Sequence, residues 1–174
     1  MNYHYFKIIY DWILIFIDVC FLSNSICFVE GVVAEDLLSI IRALSVRYAF
    51  TLEAYNKVLS SFGWPSIEMS DKPQLIPLTS NVAKLKGKAC SLWVHMRNWP
   101  LLIKKFGINP DDEVLVLGLK LHELVERATA HEFEVYEIQL LHECITDYLD
   151  LRMKLRCSYP SQFKKPKPKH HFLR

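Results

Sequence analysis

Residues 109–129, NPDDEVLVLGLKLHELVERAT, carry the most complete helix signature in the chain. Asn109 is a favourable N-cap residue, Pro110 suits the first helical position, and the acidic run 111–113 places negative charge at the positive end of the helix dipole. We predict a helix over 111–128 that is buried between partner helices. Its apolar residues recur at spacings of three and four and make the first turns apolar nearly all round: Val114, Leu115, Val116, Leu117, Leu119, Leu121, Leu124, Val125 and Ala128.

Helical periodicity extends outward from this stretch over most of the chain after Val33, and no alternating run is long enough to predict a strand. Thr51 can cap a helix that stops at Gly63, and Thr129 with Glu132 forms a capping box for the last helix. Pro100 is expected to kink or restart the helix before it. We therefore predict a mainly α fold, an irregular bundle of about five or six helices that forms an incomplete domain.

Composition favours a globular chain of one domain, because 51% of the 174 residues are hydrophobic and 23% are charged. The net charge of +2 creates no whole-chain field for nucleic acid, so any basic patch has to be local. The five cysteines include no C-x-x-C pair, which argues against a disulfide framework and a zinc ribbon. A reducing compartment, nuclear or cytoplasmic, fits this pattern best.

The first residues are unusually apolar, and IIYDWILIFIDVCFLSNSICFVEGVV (8–33) has the length of a membrane span. Asp11 and Asp18 interrupt it, and a central Asp costs about 2.5–3.5 kcal/mol on insertion scales. A membrane segment over 8–28 is one interpretation. A signal peptide is possible in shape, but no small-x-small cleavage site follows the apolar run. Another is a gene-model artefact up to about Phe28, because thymine-rich non-coding DNA encodes such residues. The chain thus divides into an apolar segment (1–29), a helical region (30–157) and a basic tail (158–174).

Candidate chemistry inside the helical region is sparse. His122 and Glu126 lie one helical turn apart, as two metal ligands could, but the second His of H-E-x-x-H is missing, and an ion-paired helix face is favoured. Neither a nucleophile motif nor a glycine-rich phosphate loop is recognisable, so we predict no catalytic residues, no metal site and no cofactor. One aromatic and basic group could stack on nucleic acid, although core packing is favoured: Trp93, Trp99, Arg97, Lys104 and Lys105.

The basic tail differs from the rest because Pro166 and Pro168 alternate with lysines and favour an extended, polyproline-like strand. A nucleic-acid contact or nuclear-import patch is one interpretation, and a solvated linker is the alternative. We expect residues beyond Cys157 to be poorly packed. The candidate nucleic-acid-binding residues are Lys164, Lys165, Lys167, Lys169, His170 and His171.

Five motifs, in this order, carry a resemblance: FTLEAYN, DKPQLIPL, LKGKACSLWVHMRNWPLLI, PDDEV and KPKPKHHFL. The series resembles animal proteins derived from DNA transposons, in which LKGKASQMWCL, LPLLI, PEDDE and LKPKHHFLLHYP follow one another. The resemblance covers roughly residues 30–173 and matches the family motifs at Glu30, Gly31, Gly87 and Trp93. It implies the helical portion of a transposase whose catalytic core is RNase H-like and uses clustered carboxylates with divalent metal.

Two departures from the family pattern shape the functional expectation. Ile26 and Cys27 stand where the family's D-x-M-H-D-L-L-E-G-V block has His and Asp, and the chain stops before the family's HYP and RFEAKH blocks. We therefore expect a transposable-element-derived fragment, truncated at both ends, that is not itself an enzyme. The alternatives are a helical module that binds protein or nucleic acid through the basic tail, and a small single-pass membrane protein.

Overall fold

The computed structural model describes residues 28–79, 82–130 and 135–163, and within them the chain forms helices and no strand. A π-helical turn, Val29–Val33, leads directly into the first α-helix, and two short 3-10 segments, Ser66–Asp71 and Lys104–Phe106, lie in the connections. The prediction of a mainly α, irregular helical bundle is confirmed. The α-helices are α1 (Ala34–Arg47), α2 (Leu52–Ser61), α3 (Ala89–Ile103), α4 (Glu113–Ala128) and α5 (Val135–Ser158).

Helix α4 is the centre of the bundle, as its sequence predicts, because it packs against α1, α3 and α5. The residues that it buries follow the spacing of three and four, and Leu117, Leu121 and Val125 are completely covered. Leu119 is 41% exposed. The apolar first turns are thus covered on most sides, while one side still faces solvent.

The start of α4 lies further along the chain than predicted. Asp112 is the N-cap, and its Oδ1 accepts hydrogen bonds from the amides of Val114 (2.8 Å) and Leu115 (3.3 Å). Asn109 instead accepts from the Asp111 amide at 3.1 Å, and Pro110 lies in that turn. The prediction that Asn109 caps the helix is wrong, because a charged acceptor at Asp112 competes for the same helix end.

Asp112 also joins α4 to the end of α1. Its Oδ2 accepts from Arg47 Nη2 at 2.7 Å and from the Tyr48 hydroxyl at 3.0 Å, and the side chain is almost completely buried. Burial and the Asp112 carboxylate raise the pKa of Tyr48, with burial the larger cause. The Asp112 carboxylate thus accepts hydrogen bonds from two amides that the start of α4 leaves unpaired, and it also contacts two side chains at the end of α1.

A glycine allows α3 to approach α4 closely. A Cβ atom placed on Gly118 would lie 2.2 Å from Cη2 and 2.5 Å from Cζ3 of Trp99, whose side chain is completely buried. Pro100 follows that tryptophan, yet α3 runs through it to Ile103 without ending. The restart that the sequence predicts at Pro100 is therefore not observed. The indole of Trp99 occupies the space that a side chain at position 118 of α4 would fill.

A buried ion pair joins α1 to α5. Arg152 Nε donates to Asp36 Oδ2 at 2.7 Å, and Nη2 donates to Oδ1 at 2.8 Å, while the Tyr148 hydroxyl also donates to Oδ2. Asp36 is 2% exposed and Arg152 is 7% exposed. Because this two-pronged contact is nearly free of solvent, it sets the position of α5 against α1 by geometry as well as by charge.

The chain remains packed from residue 158 to residue 163, which corrects the expectation of poor packing for this part, whereas residues 164–174 lie outside the described residues. Helix α5 continues to Ser158, a turn follows with the Phe163 amide bonded to the Tyr159 carbonyl at 3.0 Å, and Phe163 is completely buried. At the other end, Val29 is also buried in the core. Val29 and Phe163 thus extend the core beyond the predicted helical region, 30–157, at both of its ends.

Of the remaining expectations, the Thr51 cap is confirmed, while the capping box and the membrane segment involve residues outside the described ones. Thr51 caps α2, because its Oγ1 accepts from the Ala54 amide at 3.0 Å. The Thr129 hydroxyl donates to the Val125 carbonyl at 2.8 Å at the end of α4, while Glu132, its predicted capping-box partner, lies outside the described residues. Among the helices described here, none has both the length and the apolar character needed to cross a bilayer, and residues 8–27 of the apolar segment fall outside this set.

Replacing Gly118 with Ala is expected to destabilise the fold by about 1–3 kcal/mol, because the new methyl group overlaps the Trp99 ring. Urea unfolding followed by circular dichroism measures this change. Gly31→Ala is the matched control: among the described residues outside its own helix and chain neighbours, no atom lies within 4 Å of its Cβ position, so stability should stay equal or rise slightly. Equal stability of Gly118→Ala and the wild type would contradict the close α3–α4 contact.

Replacing Asp36 with Leu should cost about 3–5 kcal/mol, because Arg152 is left buried without its partner. The double variant Asp36→Leu with Arg152→Met should recover much of that loss, since no buried charge remains. Urea unfolding of the two single variants and the double variant gives the coupling energy. Lys154→Met, which breaks the exposed α5 pair with Glu113, serves as the control and should change stability by less than about 1 kcal/mol. Additive effects of Asp36→Leu and Arg152→Met would argue against the buried pair.

Candidate functional site

One matched motif residue, Glu30, contacts the start of α3, although it lies far from that helix in the sequence. Glu30 Oε1 accepts a hydrogen bond from the Ala89 amide at 3.0 Å, so its carboxylate satisfies an orphan donor of the helix. Lys84 Nζ donates to the Glu30 carbonyl at 3.0 Å, and the Leu85 amide donates to the Ala34 carbonyl at 2.9 Å. Glu30 is therefore engaged in holding the Lys84–Ala89 segment against α1.

The two matched glycines differ in what they contribute. Gly87 has a φ of 145°, which side chains rarely adopt, and its Cβ position lies 3.3 Å from Ser91 Oγ. Gly31 lies in the π-helical turn, and the described part of the chain leaves the space at its Cβ position open. A glycine is thus required at position 87 by the turn into α3, whereas the packing of the described residues requires none at position 31.

The tryptophans of α3 take structural roles. Trp93 is partly buried, and its Nε1 donates to Thr129 Oγ1 at 3.1 Å. Arg97 lies over the Trp93 ring at 5.1 Å and pairs with Glu68 at 3.7 Å. Trp99 is completely buried. The core-packing interpretation of this group is the one that the contacts favour, with Lys104 and Lys105 exposed beyond it.

The His122–Glu126 spacing leads to no metal cluster. His122 Nε2 lies 3.2 Å from the Arg97 carbonyl oxygen, and Glu123 forms an ion pair with Arg127 at 2.9 Å. In residues 28–79, 82–130 and 135–163, no group of three His, Cys, Asp or Glu side chains could hold a metal ion. The ion pair on this helix thus joins Glu123 to Arg127, while His122 contacts a backbone carbonyl and both His122 and Glu126 are half-buried.

A buried histidine, which the sequence gives no signal for, couples α2 to α3. His95 and Tyr55 are 2% and 0% exposed, and the Tyr55 hydroxyl lies 2.9 Å from His95 Nε2. Burial lowers the pKa of His95 to about 4 and raises the pKa of Tyr55 far above its ordinary value. Both side chains are therefore neutral at pH 7, and this pair is a neutral hydrogen bond within the core.

The basic tail begins beside a polar cavity of about 310 Å³ on α1. Ser161 and Gln162 line this cavity together with Arg42 and Ala83, and Arg42 Nη1 donates to the Val82 carbonyl at 2.8 Å. The loop before α3 and the last described residues thus lie side by side. All six candidate nucleic-acid-binding residues, Lys164, Lys165, Lys167, Lys169, His170 and His171, lie outside the described residues.

Acidification should weaken the fold through His95. Between pH 6.5 and 4 the unfolded chain binds a proton that buried His95 cannot, so the free energy of unfolding falls by about 1.4 kcal/mol per pH unit from this group. Urea unfolding at several pH values should show a shallower slope for His95→Gln than for the wild type. Tyr55→Phe should keep the wild-type slope, because burial of His95, and not its hydrogen bond to Tyr55, lowers the pKa of His95. Equal slopes for His95→Gln and the wild type would contradict the lowered pKa of His95.

Comparison of the chain with protein-family models, with curated proteins and with solved structures finds no match. The resemblance to transposon-derived proteins stays a hypothesis that rests on its motifs. The structure adds the location of two of the motif residues: Glu30 contacts the Ala89 amide at the start of α3, two residues after Gly87, and Trp93 lies one turn further along the same helix. The candidate site remains the basic tail that the sequence predicts, together with the described residues directly before it.

Proposed function

We propose that this chain is a non-catalytic helical module, derived from a transposable element, that binds nucleic acid through its basic tail. The observation that carries the proposal is Phe163, which is completely buried directly before Lys164 and Lys165. The lysine-rich sequence thus directly follows, in the chain, a residue that is anchored in the core. Lysine side chains that neutralise phosphates release counterions, which makes such a segment suited to a nucleic-acid backbone.

The contacts of Glu30 support the non-catalytic part of the proposal. Metal-dependent strand chemistry needs carboxylates that converge on an ion, whereas the Glu30 carboxylate accepts from the Ala89 amide at a helix start. Its role is to hold the loop before α3. Free thiols at Cys90, Cys144 and Cys157 support a reducing compartment, nuclear or cytoplasmic.

Deleting residues 164–174 should remove most of the salt-sensitive DNA binding while the melting temperature stays close to that of the full chain, because Phe163 is retained. Fluorescence anisotropy with a short labelled DNA duplex, measured between about 50 and 200 mM salt, gives the affinity and its salt slope. Differential scanning calorimetry gives the melting temperature of both chains.

A control replaces Lys57, Lys120 and Lys154 with Gln, which removes surface charge elsewhere and should leave binding nearly unchanged. Equal affinity and salt slope for the full chain and the deletion would overturn the proposal. Metal-dependent DNA cleavage by the purified chain, abolished in Glu30→Ala, would overturn its non-catalytic part.

A further inference from the structure

We draw no further inference here: the strongest candidate, the polar cavity of about 310 Å³ that Arg42 lines on α1, carries no ligand site, because Arg42 Nη2, which has no hydrogen-bond partner among the described residues, is itself covered from solvent, and the serine hydroxyls of the cavity already donate within the chain.

Discussion

The buried pair between Asp36 and Arg152 is the constraint on which the rest of the bundle depends. A carboxylate and a guanidinium removed from water must pair with each other, because either one alone in the core would cost several kcal/mol. The pair therefore allows one register of α5 against α1, the register in which both oxygens of Asp36 meet the guanidinium. Tyr148, one turn earlier on α5, donates to the same carboxylate and makes a shifted register less favourable still.

That register has consequences beyond the C-terminal end of α5. It places Tyr159 where Arg47 contacts its ring and its hydroxyl, and Arg47 in turn pairs with Asp112 at the start of α4. It also brings Phe163 into the core, so that the last described residues lie against α1. The position of these residues is therefore linked to the ion pair that sets α5 against α1.

The sequence predicts the elements of this fold well and their assembly poorly, for a physical reason. Periodicity and caps are local, so α4, its burial and the Thr51 cap could be read from neighbouring residues. The start of α4 could not be predicted from neighbouring residues, because the choice between Asn109 and Asp112 as the cap depends on Arg47 and Tyr48, which are distant in sequence. The burial of His95 and Phe163 has the same origin: no local pattern shows which partner will cover them.

The candidate site follows the same division. Lysines and prolines beyond residue 163 indicate a basic tail by composition alone, whereas the position of Ala83 beside Ser161 and Gln162, at one cavity, is visible only in the structure. Glu30 is a motif residue in the sequence, and the structure shows that its carboxylate accepts a hydrogen bond from the Ala89 amide at the start of α3. Because a net charge of +2 is nearly neutral, attraction of a polyanion depends on where the lysines lie and not on their number. Burial of Phe163 fixes the position of the residue directly before Lys164, so the core decides where on the folded body the lysine-rich sequence begins.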